Sequence, residues 1–318
     1  MGARARNRAD CSIGTGGVHS VEFLGPAGGI VSHRTACYIK HPYLFGGECG
    51  AKGMPMRVYI EVAKRAFQQQ LAYRTANLAG LATNAFWGIL RSFLFLGLFQ
   101  GREMAAGWSL RDAIDYVWVA QALIMPIYFW NWWEIAGTIR TGDVVSDLAK
   151  PVDYYGFWLS RDAGRAVYHT LFRWLPTMLL GVLLFGVRLP ADVGRWGWFF
   201  LSMALAIWLS FGLRFLYNIA AFWLLDQRGV GALVSITAIF LSGFLVPLNY
   251  FPDWARVTVT WLPFAGMLQA PIEVLLGKLD GVALAGALVL QAGWGLVLLA
   301  ADRLLLALAV RKVIIQGG

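Results

Sequence analysis

Six long apolar stretches, divided by short charged loops, fill almost the whole chain after residue 75. Each is roughly 20 residues, the length that carries a helix across a hydrocarbon core. Hydrocarbon offers no hydrogen bonds to a backbone, so only helices and closed barrels satisfy themselves there. A barrel needs shorter segments of alternating polarity, and this pattern is missing. An all-α integral membrane fold with six transmembrane helices is therefore expected, at about 76–99, 114–137, 167–187, 197–225, 231–249 and 284–310.

Composition agrees. Hydrophobic residues make up 58% and charged residues 14% of the 318, whereas a soluble domain carries about 25% charged residues. The 15 Trp suit interfacial belts. A net charge of +9 in a soluble protein would raise nucleic acid as a partner. Here the basic residues flank spans and meet anionic membrane lipid, so no nucleic acid is expected.

Residues 1–53 differ from the rest. They are Gly-rich, aperiodic and lack the apolar run of a signal peptide. They hold Cys11, Cys37, Cys49, His19, His33 and His41, but at no compact zinc spacing. We read 1–53 as a disordered or mis-annotated extension, with Met54 or Met56 as the natural start, and 54–318 as the six-span transmembrane domain. Within 56–74, Ile60, Ala63, Phe67 and Leu71 share one helical face and Glu61, Lys64, Arg65 and Gln68 the other. That is an interfacial amphipathic helix.

Basic residues near span ends set the orientation. Arg57, Lys64, Arg65, Arg74, Arg140, Lys150, Arg161, Arg165, Arg228, Arg311 and Lys312 outnumber Arg102, Arg111, Arg188, Arg195, Arg256 and Lys278. Both termini are therefore expected on the cytoplasmic side. No convincing repeat of two halves is visible, which disfavours an inverted-repeat transporter.

Two loops stand out. In 138–166, Gly142 and Asp143 start a short helix, Val144, Val145 and Leu148 form one apolar patch, and Pro151 ends it after Lys150. So short a helix needs a partner, either its own spans or another protein. The second loop, between spans five and six, is too apolar for a solvated connection. Pro247, Pro252, Pro263 and Pro271 break it, and Trp254 and Trp261 can anchor it at an interface. It reads as an outer re-entrant helical segment.

With these segments the chain, over residues 56–318, resembles the membrane subunits of type-2 ATP-binding-cassette exporters, in their bacterial six-span branch. The resemblance rests on the six-span plan with an elbow helix, on IRTGDVVSDLAKPVDYYGFWLSRD, on SGFLVPLNYFPDW with WLPF, and on VRKVIIQGG. It implies a non-catalytic permease in the bacterial cytoplasmic membrane, paired with a second permease subunit, identical or similar, and with separate ATPase subunits. It implies an ATPase-coupling role for Asp143, Val144, Val145, Asp147, Leu148 and Lys150, and an outer gate containing Pro247, Pro252, Trp254, Pro263 and Phe264. No cofactor is expected in this chain: it has no G-x-x-x-x-G-K-[ST] loop, so ATP and Mg belong to the partner. Leu241-Ser242-Gly243 only faintly matches an ATPase signature and lies in an apolar span. Glu134-Ile135-Ala136-Gly137 faintly matches an importer loop, without the Ile-x-Leu-Pro that should follow.

Charges inside spans are functional candidates. Arg91, Arg173, Arg214, Asp302 and Arg303 qualify, Arg214 lying deepest. It can contact an acidic substrate or lipid, snorkel, or pair with a carboxylate. Asp302 and Arg303 point about 100° apart on a helix and need not pair. His169 reads as an interfacial hydrogen-bonder, and no catalytic constellation or metal site emerges. The alternatives are an ion-coupled secondary transporter, which would depend on Arg214 or Asp302, and a lipid-modifying enzyme, for which no polar constellation is found.

Overall fold

The computed structural model describes residues 20–24, 30–34, 56–130, 132–224 and 226–311. Strands β1 (Ser20–Leu24) and β2 (Ile30–Arg34) form an antiparallel ribbon with Phe23 opposite Val31. The ribbon lies in a unit of its own, Met1–Cys49, separate from Gly50–Gly318. The Cys11, Cys37, Cys49, His19 and His41 positions, the candidate start Met54, and Lys312 with the rest of the VRKVIIQGG tail after Arg311 lie outside the described residues.

The second unit is helical. It comprises α1 (Arg57–Leu71), α2 (Arg74–Leu98), a two-residue ribbon of β3 (Met104–Ala105) and β4 (Trp108–Ser109), α3 (Leu110–Ile127), α4 (Glu134–Thr141), α5 (Val144–Ala149), α6 (Tyr154–His169), α7 (Leu175–Phe185) and α8 (Val193–Ile219). There follow α9 (Arg228–Leu241), α10 (Asp253–Thr260), α11 (Pro263–Met267), α12 (Gln269–Leu275) and α13 (Gly281–Val310).

Local signals explain the boundaries. Ser109 and Asp112 make a reciprocal capping box at the start of α3. Asp153 and Asp192 accept backbone N–H groups at the starts of α6 and α8. A π-helical turn, Thr170–Trp174, joins α6 to α7. Pro176 comes two residues after its last residue, Trp174. Proline lacks an N–H and crowds the carbonyl four residues back, and a widened turn accommodates both defects.

Among the described residues four helices are long and apolar enough to cross a membrane: Thr75–Leu98, Tyr154–Phe185, Val193–Phe222 and Gly281–Val310. The other two expected spans fall short. The α9 helix has 14 residues, about 21 Å at 1.5 Å per residue against a core of about 30 Å. The α3 helix has 18 residues and carries Arg111, Asp112 and Asp115. Its chain turns at Tyr128, with φ of +63°, instead of running on to residue 137. The expected loop 138–166 is also largely helical, because α6 starts at Tyr154.

The core forms around α3, which is buried on nearly all sides, and α8. Trp118 of α3 sits between Gly88 of α2 and Gly181 of α7, where added Cβ atoms would lie 3.1 and 2.9 Å from its ring. Its indole donates to Ser92 Oγ at 3.1 Å. The α1 helix packs against α6 so closely that a Cβ on Gly164 would overlap the Ala63 carbonyl. The packed face of α1 centres on Ala66, while Ile60 is exposed, so the apolar stripe drawn from sequence is rotated.

Candidate functional site

At one end of the bundle α4 and α5 form a helical corner. Gly142 makes the turn with φ of +83°, a conformation that favours glycine. Thr141 Oγ1 donates to Asp143 Oδ2 at 2.7 Å, and Lys150 Nζ donates to Asp147 Oδ1 at 2.6 Å while lying over the Phe157 ring. Val144 and Leu148 are 3% and 2% exposed. They face inward, and this corrects the reading of Val144, Val145 and Leu148 as one patch. The outward surface of α5 is Asp143, Val145, Ser146, Ala149 and Lys150.

Three connections tie this corner to the bundle. Glu134, at the start of α4, pairs with Arg161 of α6 at 3.0 Å. Asn218 of α8 accepts from the Ala136 N–H at 3.0 Å and donates to the Trp132 carbonyl at 2.8 Å. Tyr217 Oη accepts from the Trp132 N–H at 3.0 Å.

Arg214 lies just inside the corner. It pairs with the buried Asp162 of α6, so of the expected alternatives it takes the carboxylate partner. Arg165 also binds Asp162, and its guanidinium donates to the carbonyls of Met125 and Pro126 at the end of α3. Arg165 is therefore part of a buried Arg–Asp–Arg group, not a boundary charge at the lipid surface. Sequence reasoning missed Asp162; its spacing of three from Arg165, which puts both on one helical face, was the available signal.

The other isolated charges separate as helical geometry requires. Arg303 pairs with Asp153, Nη2 to Oδ2 at 2.8 Å. Asp302 turns away beside Gly212, wholly buried, with no hydrogen-bond partner on either oxygen among the described residues. His169 is 4% exposed with its Nδ1 unpartnered, so it is a buried ring and not an interfacial one. Arg173 donates to the Asn77 carbonyl at 2.9 Å.

At the opposite end the chain after α9 turns inward and returns through short helices. Gly243 makes the turn at φ of +84°. Tyr116 Oη donates to the Gly243 carbonyl at 2.9 Å and meets Gln269 Oε1 at 2.6 Å. Arg91 Nη2 donates to the carbonyls of Phe244 and Leu245. These side chains replace the backbone partners that the broken helix loses. Pro247 and Pro263 are buried in this segment, Phe264 is half-buried, and Pro252, Trp254 and Trp261 are exposed. The expected gate residues are thus gathered in one segment, but Trp254 and Trp261 face outward at 76% and 67% exposure.

A charged cluster surrounds this end. Asp112 meets Arg188 at 2.8 Å and Lys278 at 3.1 Å, and Arg188 also binds Asp115 at 2.7 Å. Asp112 lies in the first turn of α3, ahead of its apolar run. Burial pushes its carboxyl up, but hydrogen bonds from Ser109, Lys278 and Arg188 outweigh that and bring it down to about 2. Among the described residues no group of His, Cys, Asp and Glu is arranged to hold a metal ion.

Neither a curated protein nor a solved structure matches the chain. A family model described as ABC-2 family transporter protein matches residues 86–317, from the middle of α2 to the C-terminal tail. This is well over half of the chain, and it takes in both the α4–α5 corner and the re-entrant segment. The chain is therefore a multi-pass membrane permease component of the ABC-2 transporter family.

Proposed function

We propose that the chain is the translocating subunit of an ATP-driven exporter, working with a second permease and with separate ATPase subunits that carry ATP and Mg. The observation that carries this reading is the outward surface of α5, exposed at the end of the bundle where Glu134, Asn218 and Tyr217 tie it to α6 and α8. A helix of six residues does not hold itself together; buried Val144 and Leu148 fix it to its own chain. A push or pull on α5 is then delivered to α6 and α8. ATP binding on the partner supplies the differential affinity that shifts the permease between two states. Both termini lie on the ATPase side of the bacterial plasma membrane, with Pro247, Pro252, Pro263 and Phe264 in a gate on the other side.

The test uses cysteine chemistry. Residues 54–318 contain no cysteine, so Ser146→Cys in a chain whose Cys11, Cys37 and Cys49 are serine has one reactive thiol. Crosslinking from it to a co-expressed ATPase subunit is expected, with a yield that changes on adding ATP. Equal crosslinking from Ser146 and from Trp254→Cys, at the opposite end, would refute the assignment.

One observation favours a second reading, ion-coupled transport by the chain alone: the buried carboxylate of Asp302, without a hydrogen-bond partner among the described residues. It predicts uptake driven by a proton gradient in vesicles lacking any ATPase, abolished by Asp302→Asn.

A further inference from the structure

A cavity of about 510 Å³ opens between the re-entrant helices and α13, bounded on α8 by Leu209. That is within the roughly 300–1,000 Å³ of ligand pockets. Its long wall is apolar: Val257 and Trp261 on one side, Ala283, Ala287, Leu290 and Trp294 on the other. Ala283, Gly286 and Ala287 fall at helical spacing of three and four, so one stripe of α13 carries almost no side-chain bulk and leaves a slot. The walls are tied together, since Gln291 Nε2 donates to the Gly266 carbonyl at 2.7 Å and Trp294 Nε1 to the Trp261 carbonyl at 2.8 Å. The slot is therefore held open before any ligand arrives.

One end of the cavity is polar and negative. Asn249, Gln269 and Glu273 line it, and Gln269 Nε2 donates to Glu273 Oε1 at 2.7 Å. Arg256 also lines the cavity, but its ion pair is with Asp253 at 2.9 Å, and that of Lys278 is with Asp112 at 3.1 Å. Among the described residues Glu273 forms no ion pair within contact distance; the groups that donate to its carboxylate are the neutral side chains of Gln269 and Asn249.

We infer that this cavity binds an amphiphile built of an aliphatic chain and a primary ammonium head, with the ammonium on Glu273 and the chain along the Ala283–Ala287 stripe. An ammonium offers three donors and brings the positive charge that the neutral amide donors Gln269 and Asn249 do not supply. An anionic head meets a like charge, and an uncharged hydrocarbon would strip water from the carboxylate without replacing its partner. The site exists whether or not α5 meets an ATPase. The same chemistry is found in an amine-headed membrane lipid and in a free alkylamine.

The test uses the full chain in phosphatidylcholine nanodiscs, with radiolabelled dodecylamine as probe. Saturable binding of one amine per chain is expected. Glu273→Gln, which keeps shape and the Gln269 contact, is expected to weaken it at least tenfold; Ala287→Trp, which fills the slot, abolishes it. Dodecyl sulfate should not compete. Competition by dodecyl sulfate equal to that by unlabelled dodecylamine, or unchanged affinity in both variants, would overturn the inference. Should Glu273→Gln not fold, Ala287→Trp decides alone. Mass spectrometry of the purified chain separates the two sources. An amine-headed lipid retained by the wild type and lost in Ala287→Trp marks a resident lipid; saturable dodecylamine binding with no such lipid marks a free amphiphile.

Discussion

Arg214 of α8 meets Asp162 of α6 through two parallel hydrogen bonds, Nη1 to Oδ1 at 3.0 Å and Nη2 to Oδ2 at 2.8 Å. Arg165 completes the group from the other side at 2.8 Å. Two guanidinium groups thus share one carboxylate, and the excess positive charge is spread over the Tyr128 and Trp132 rings, which lie about 5 Å from Arg214.

The sharing sets an order of sensitivity. Asp162→Asn leaves two buried cations without a counter-charge and is expected to cost about 3–5 kcal/mol. Arg214→Met leaves Asp162 still paired with Arg165, so it should cost less. Thermal melting of the two purified variants checks the order.

The two valines of α5 should behave oppositely. Val144→Asp places a charge where the side chain is 3% exposed and is expected to lower stability by about 2–5 kcal/mol. Val145→Asp, at an exposed position, should leave melting unchanged within about 0.5 kcal/mol and yet abolish co-purification with the ATPase. Retained co-purification would remove Val145 from the docking surface.

Gly243→Ala combines a left-handed backbone with a new Cβ 2.5 Å from both Gln269 Oε1 and Tyr116 Oη. Loss of that hydrogen bond and the unfavourable φ together cost at least about 2 kcal/mol. Gly293→Ala is the comparison: no atom lies within 4 Å of its Cβ, and it should be neutral or stabilising. Melting temperatures measure both.

Acid should loosen the Asp112 cluster. Its carboxyl is held near 2 against an ordinary value of 3.8, so the stabilisation it provides is fully present above about pH 4. It is lost as pH falls through about 2, where the folded state too takes up the proton. The wild type should lose more stability than Asp112→Asn between pH 5 and 2.5. Parallel melting curves would show the cluster to be inert.

Apolar runs without internal charge were legible: 284–310 lies within Gly281–Val310, and 76–99 nearly coincides with Arg74–Leu98. Failure came where folding neutralises charge. Arg161, Asp162 and Arg165 made 154–166 resemble a loop, yet Glu134 and Arg214 pair two of them within a helix. Composition counts charges one by one, whereas the fold counts them after pairing. The site divided along the same line. The short α5 helix was foreseen from Gly142, Asp143 and Pro151, but which of its valines faces out is decided by how the corner packs on the bundle, and two valines side by side do not announce that.

Arg91 has a mechanical consequence. Its guanidinium, projecting from α2, holds the carbonyls of the inward turn at Phe244 and Leu245. A latch made by one side chain can let go without unwinding any helix, and it can re-form on the next stroke. Tilting of α2 is thereby converted into slack or tension in the turn.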